Sequence, residues 1–145
     1  MERLTAEAVN EFVSTQFPSA AAGGTTCVAV GPHTATARWQ YDPAQLRPGG
    51  YISGPTQFAL ADAALWFAVF TVVGIQPMAV TARMSIDFLR PAAGGDLYAA
   101  AIILKAGQAG MVGRIHLWVG DDTETIVAIA TGTYVAPSSS ERRGD

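Results

Sequence analysis

The sequence predicts an α+β domain in which one antiparallel sheet wraps a single long apolar helix. Two patterns carry that reading. An apolar run from Phe58 to Val73 contains one charged residue, Asp62, and is bounded by Pro55 on one side and Gly74 on the other. Around it lie short strand-like segments, two before and four after, set apart by turns rich in glycine.

The elements follow in order. Thr5 is placed to cap a first helix whose apolar positions Ala8, Val9, Phe12 and Val13 recur at three- and four-residue spacing, and Pro18 ends it. Gly23 and Gly24 introduce a strand over Thr26 to Val30, and Gly31-Pro32 turns into a second over Thr34 to Tyr41. These two are expected to pair as a hairpin. A turn-rich connection runs from Asp42 to Gly54. Pro55 then takes the favoured first helical position, and the long helix continues to about Val73, where Gly74 and Pro77 stop it. Being apolar on every face, it is expected to be enclosed. Four strands come next, over Met78 to Leu89, Asp96 to Lys105, Met111 to Gly120 and Glu124 to Val135. In the first, Val80, Ala82, Met84, Ile86 and Phe88 alternate with Thr81, Arg83, Ser85 and Asp87, the period of a strand with one buried face. The expected domain covers residues 1–136, and the Ser- and charge-rich stretch 137–145 is expected to be a disordered tail.

Composition narrows the function classes. Half the residues are apolar and 14% are charged, an excess of apolar surface that a partner subunit commonly covers. Net charge is -3 with no Lys/Arg cluster, which argues against nucleic acid or an anionic membrane as partner. Cys27 is alone and cannot form an internal disulfide, which suits a reducing cytoplasm. The opening MERLTAEAVNEF carries acids and no long apolar stretch, unlike a signal peptide. The apolar run from Phe58 falls short of the roughly 20 residues that span a bilayer. It also has an acid in its middle, so it reads as a core helix.

Asp62 is the most informative residue. Tyr51 aside, it is the only ionisable side chain between Arg47 and Arg83. An ionised carboxylate among Phe, Leu, Trp and Val is costly unless donors hold it or it becomes neutral. A site of that kind is often functional. The alternatives are a carboxylate facing water on a half-exposed helix, or one capped for structural reasons. Other groups point less clearly to chemistry. His33 and His116 lie far apart, with no Cys or acid at ligand spacing, so no metal is expected. Ser53 in Ser-Gly-Pro has no base nearby in sequence and reads as a helix cap rather than a nucleophile. Gly49-Gly50 and Gly94-Gly95 lack the strand-to-helix setting of a phosphate loop.

The order helix, two strands, long apolar helix, four strands, together with SGPTQFALADAA and VTARMSIDFLRPAAGGDL, resembles the hot-dog fold, specifically the PaaI-like acyl-CoA thioesterases. In that family a His-Gly-Gly tripeptide precedes the helix, and an acid follows nine residues after the His within Leu-Ala-Asp. Leu60-Ala61-Asp62 matches the acid, which places Ser53-Gly54-Pro55 where His-Gly-Gly would stand. The family phrase close to Asn-Phe-Leu-Arg-Pro-Ala reads Asp87-Phe88-Leu89-Arg90-Pro91-Ala92 here. Two departures stand out: Ser53 replaces the His, and Arg47 takes the place of an Asn often found six residues before it.

The resemblance implies hydrolysis of an acyl-CoA thioester. Asp62 would act as general base or nucleophile, the Gly54 N–H would stabilise the oxyanion, and Thr81 would position water. Ser53, Pro55, Phe58 and Arg90 would contact substrate, with Phe58, Trp66, Phe67 and Phe70 forming core and acyl-pocket wall. No cofactor is implied beyond the coenzyme A of the substrate. The glycine and the acid of one site come from different protomers in the family, so a homodimer is the minimum unit and a dimer of dimers is compatible. A rival reading is a non-catalytic module that binds acyl-CoA or an aromatic ligand. A hot-dog hydratase would need a His beside the acid, and none lies near Asp62 in sequence.

Overall fold

The computed structural model describes residues 3–137. All but the first residue of the expected tail therefore lies outside the described residues. Thr5 caps α1 (Ala6–Gln16) as expected, its hydroxyl accepting the Ala8 N–H at 3.1 Å. Pro18 does more than end this helix. It opens a short second one, α2 (Pro18–Ala22), because proline suits a first helical position, where its missing N–H forfeits no bond. Phe12 of α1 meets Trp66 and Phe70 edge-on at centroid distances of 5.5 and 5.6 Å.

The expected hairpin forms from β1 (Thr25–Gly31) and β2 (Thr34–Trp39). Its turn places His33 at φ 60°, the left-handed region. The Asn10 side chain fastens α1 to β1, donating to the Cys27 carbonyl at 2.8 Å and accepting the Cys27 N–H at 2.7 Å. That residue borders a register shift between Cys27 and Ala29, where the ladder is irregular and a side chain can take over its hydrogen bonds.

The long helix α3 runs Gly54–Val73, with Ser53 as its N-cap and Gly74 ending it at φ 82°. The capping segment joins the apolar run, so the helix reaches 20 residues and is long and apolar enough to cross a membrane. Length therefore does not exclude a membrane span, contrary to the expectation; burial marks the core helix, since half of it is covered inside the fold. Enclosure is one-sided. Leu60, Ala61, Ala64, Leu65, Ala68 and Val69 are buried, whereas Phe58 is 38% exposed and Ala59 is exposed, because a sheet can curl around only one side of a helix.

Strands β3 (Val80–Phe88), β4 (Leu97–Ala106), β5 (Met111–Val119) and β6 (Ala128–Val135) complete one antiparallel sheet in the order β1-β2-β4-β5-β6-β3. β6 starts later than expected, since the backbone from Asp122 turns and the Asp122 side chain accepts the Thr125 N–H at 3.3 Å. Alternating inner residues such as Ala99, Ile115, Leu117, Ala128 and Ala130 are buried beneath α3. Gly113 and Gly132 face one another across β5 and β6 and leave room for Leu65: a Cβ on Gly132 would stand 2.9 Å from Leu65 Cδ2. The side chain of α3 thus seats in a hole made by two absent side chains.

β3 departs from simple alternation. It is an edge strand, and Val80 and Phe88 are 56% and 51% exposed. Phe88, Ile86 and Met84 pair with the inner residues Ala128, Ala130 and Gly132. Between Thr81 and Arg83 the register then shifts, so Thr81, not Ala82, lies opposite the buried Tyr134. One extra residue on the strand turns the next side chain to the other face. Thr81, on the polar face in strict alternation, points inward instead.

Candidate active site

The first turn of α3 would leave its N–H groups without partners, and the local sequence decides which remain so. Ser53 Oγ accepts the Thr56 N–H at 3.2 Å, and the Gln57 N–H reaches the Ser53 carbonyl at 3.1 Å. Pro55 has no N–H to offer. Among the described residues no acceptor takes the Gly54 N–H, which leaves it uncommitted at the positive end of a 20-residue helix. The Ser53 hydroxyl also donates to Thr56 Oγ1 at 3.0 Å and is engaged in the cap, as its sequence position suggests.

Gly54 opens on a cavity of about 730 Å³ whose wall includes Arg47, Tyr51, Pro55, Gln57, Phe88 and Arg90. Two of the expected substrate-binding residues, Pro55 and Arg90, are here. A Cβ on Gly54 would lie 3.3 Å from the Phe88 ring, so the site is tight on its protein side as well. Gln57, only 4% exposed, donates from Nε2 to the Ile52 carbonyl at 3.1 Å, and its buried Oε1 has no protein partner.

Asp62 lies two turns further along and opens on a different cavity, of about 330 Å³, walled by Phe17, Trp39, Ala59, Trp66, Phe67 and Tyr134. The question posed by an acid in an apolar helix is answered by two hydroxyl donors. Thr81 Oγ1 donates to Asp62 Oδ1 at 2.6 Å and Tyr134 OH to the same oxygen at 2.7 Å. Tyr134 OH also stands 3.2 Å from the Asp62 carbonyl. Burial, and then the neighbouring Asp62 charge, push the Tyr134 hydroxyl far up from its ordinary range, so it remains a protonated donor. No described residue donates to Asp62 Oδ2.

The structure thus joins Thr81 with Asp62 and separates both from Gly54. Eight residues of helix correspond to a rise of about 12 Å, too far for both groups of one chain to act on one carbonyl. Phe58 is exposed on α3 and Ser53 is in the cap; neither lines the two cavities. His33 sits in the hairpin turn, whereas His116 is on the outer sheet face, stacked on Trp118 at 5.5 Å. Burial, and then Arg114, lower the His116 pKa. Among the described residues no cluster of His, Cys, Asp and Glu could hold a metal.

Sequence reasoning missed Tyr134 and Gln57. Tyr134 ends an inward series of small residues, Ala128, Ala130 and Gly132, and a Tyr after such a series is a usable sign of a buried hydroxyl. Gln57 is the lone amide in a mostly apolar helix, equally legible in retrospect.

Residues 49–126 match the thioesterase superfamily. A candidate thioesterase from a Silicibacter species is 34% identical over 94% of this chain and 95% of its own, with a TM-score of 0.82. A mutant of the phenylacetic acid degradation protein PaaI from Thermus thermophilus is 25% identical, covers 83% of this chain and 99% of its own, and gives a TM-score of 0.71. The PaaI protein of Escherichia coli, at 24% identity, 92% and 91% coverage and a TM-score of 0.76, shares the fold. None of the curated proteins matches.

Proposed function

Because the chain belongs to the thioesterase superfamily and has the hot-dog fold of its PaaI-like members, we propose that it hydrolyses an acyl-CoA thioester to a free acid and coenzyme A. The observation that carries this reading is the Asp62 carboxylate. One oxygen is held by Thr81 and Tyr134, and the other is left for chemistry beside an aromatic-walled cavity. The acyl group occupies that cavity, and the thioester carbonyl oxygen accepts from the Gly54 N–H of the second protomer.

As a general base, Asp62 Oδ2 takes a proton from water while the water oxygen bonds to the carbonyl carbon. The oxyanion so formed is held at the Gly54 N–H; its collapse breaks the carbon–sulfur bond, and the departing thiolate takes the proton that Asp62 accepted from water. As a nucleophile, Asp62 Oδ2 instead bonds to the carbonyl carbon and expels the thiolate, and water hydrolyses the resulting anhydride. Both routes need the same two groups. Arg47 and Arg90, on the rim of the Gly54 cavity, are suited to the coenzyme A phosphates.

A homodimer is part of this reading, supported by the distance between Gly54 and Asp62 and by the edge strand β3, which exposes Val80 and Phe88 with Leu89 just beyond it. Such an edge is normally covered or paired. The reading includes no cofactor beyond the substrate's coenzyme A, and a cytoplasmic setting in keeping with the lone Cys27; a dimer of dimers is compatible with it.

The test is release of free thiol from a panel of acyl-CoAs. Wild-type protein should release thiol, and Asp62→Asn should lower kcat by about a hundredfold or more while preserving the fold, because an amide neither accepts the proton nor attacks well. One departure favours a second reading: Ser53, standing at the family His position, is tied into the helix cap and offers no imidazole. Tight binding of acyl-CoA by the wild type without thiol release would establish the non-catalytic module instead.

A further inference from the structure

We propose that Tyr134 is a positioning residue for hydrolysis, fixing Asp62 so that Oδ2 alone faces the thioester, with Thr81 as the second arm of the same clamp. The inference rests on the hydrolytic role of Asp62 given above. A carboxylate at the end of Asp χ2 turns in a broad, two-fold potential and does not by itself present one oxygen in one direction. Here it cannot turn freely. Two hydroxyls converge on Oδ1 at 2.6 and 2.7 Å.

Their convergence comes from the sheet. Thr81 and Tyr134 are register partners across β3 and β6, and only the extra residue between Thr81 and Arg83 brings the Thr81 hydroxyl to the inner face beside Tyr134. The two arms differ in rigidity. Tyr134 lies on an interior strand, paired to Thr81 on one side and Met111 on the other, and is buried; Thr81 belongs to the exposed edge strand. Tyr134 is therefore the fixed arm. Its second acceptor, the Asp62 carbonyl at 3.2 Å, ties the hydroxyl to the backbone that carries the carboxylate. Neither hydroxyl loses a proton in the reaction; the Thr81 hydroxyl, committed to Asp62, acts through the carboxylate and not on water as the family resemblance implied.

A misdirected Oδ2 affects the chemical step; the Tyr134 ring also walls the cavity assigned to the acyl group, so affinity for substrate is kept only where that ring is kept. Misplacement on the order of 1 Å can cost a hundredfold in rate. Tyr134→Phe keeps the ring in its place and removes only the hydroxyl. It should lower kcat by about ten- to a hundredfold and leave KM within about twofold, a split that general loosening of the fold would not give. In the other arm, Thr81→Val should lose activity comparably, and Thr81→Ser, which restores the hydroxyl, should recover most of it.

Turnover by Tyr134→Phe within twofold of wild type would overturn the proposal, as would parallel changes in kcat and KM. Should Tyr134→Phe fail to fold, the Thr81 pair decides: equal activity of Thr81→Val and Thr81→Ser removes the clamp. Asp62→Asn separates this from the reading beneath it. An inactive Asp62→Asn beside a fully active Tyr134→Phe discards the clamp and leaves hydrolysis standing, whereas an active Asp62→Asn discards the hydrolytic role itself.

Discussion

Gly54 and Asp62 lie on the same helix and open on different cavities of the same chain. The separation has a plain cause. The two positions differ by eight residues, which moves them about 12 Å along the axis and turns one roughly 80° from the other. A donor and a carboxylate so placed can meet over one carbonyl only if a second helix brings its own copy of each.

Leu65 of α3 is seated between Gly113 and Gly132 of the sheet. A Cβ on Gly132 would lie 2.9 Å from Leu65 Cδ2, 2.9 Å from Met84 Cε and 3.1 Å from the Arg83 carbonyl. Gly132→Ala should therefore destabilise the fold by about 1–3 kcal/mol through overpacking. Thermal or urea unfolding measures it. Leu65→Ala should cost less in the Gly132→Ala background than alone, since it vacates the space the new methyl needs. Additive losses would show that the methyl is accommodated elsewhere.

Asn10 is expected to hold the N-terminal helix against the sheet. Its amide satisfies both the N–H and the carbonyl of Cys27, so Asn10→Ala leaves two backbone groups short of partners. The cost should be about 1–3 kcal/mol. Hydrogen exchange should quicken first in α1 and in β1 near Cys27. Unchanged protection there would mean that the Phe12 contacts with Trp66 and Phe70 alone hold α1 in place.

Cys27 should be inert in the folded protein. Burial pushes its thiol pKa up to about 11, Glu7 adds to the rise, and the hydrogen bond to Ala29 opposes it. A raised pKa keeps the thiol protonated through neutral and mildly alkaline pH, and the thiolate is the reactive form. A disulfide reagent at pH 8 should leave the native protein unlabelled and react fully after denaturation. Rapid labelling of the native protein would contradict this burial.

The long helix was legible because sixteen consecutive residues from Phe58 to Val73 contain no breaker and one charge. The sheet was legible from its alternation and its glycine turns. Two kinds of feature were not. Pro18 signals both the end of one helix and the start of another, and the sequence alone favours the first meaning. The bulge beside Thr81 leaves no mark in the alternation of β3, because an extra residue matters only against the partner strand. Tyr134 reaches Asp62 across 72 residues of chain, a relation set by the register of β3 and β6. Asp62 was identifiable from chemistry, and Gly54 and Thr81 only through the resemblance to the thioesterase family.

Activity in a mixed dimer of two inactive chains decides whether one site draws on both protomers. Asp62→Ala removes the acid. Gly54→Val crowds the Phe88 ring and the space the thioester carbonyl needs. Each homodimer should be inactive. If Gly54 of one chain works with Asp62 of the other, a mixed dimer has one doubly damaged site and one intact site, and random pairing of equal amounts restores about a quarter of all sites. The two chains are co-expressed with different affinity tags, each variant is first shown to fold and dimerise, and the mixed species is isolated and assayed for thiol release. Recovered activity at about half the wild-type level per purified mixed dimer is the predicted result. A mixed dimer as inactive as its parents would contradict a site shared between protomers.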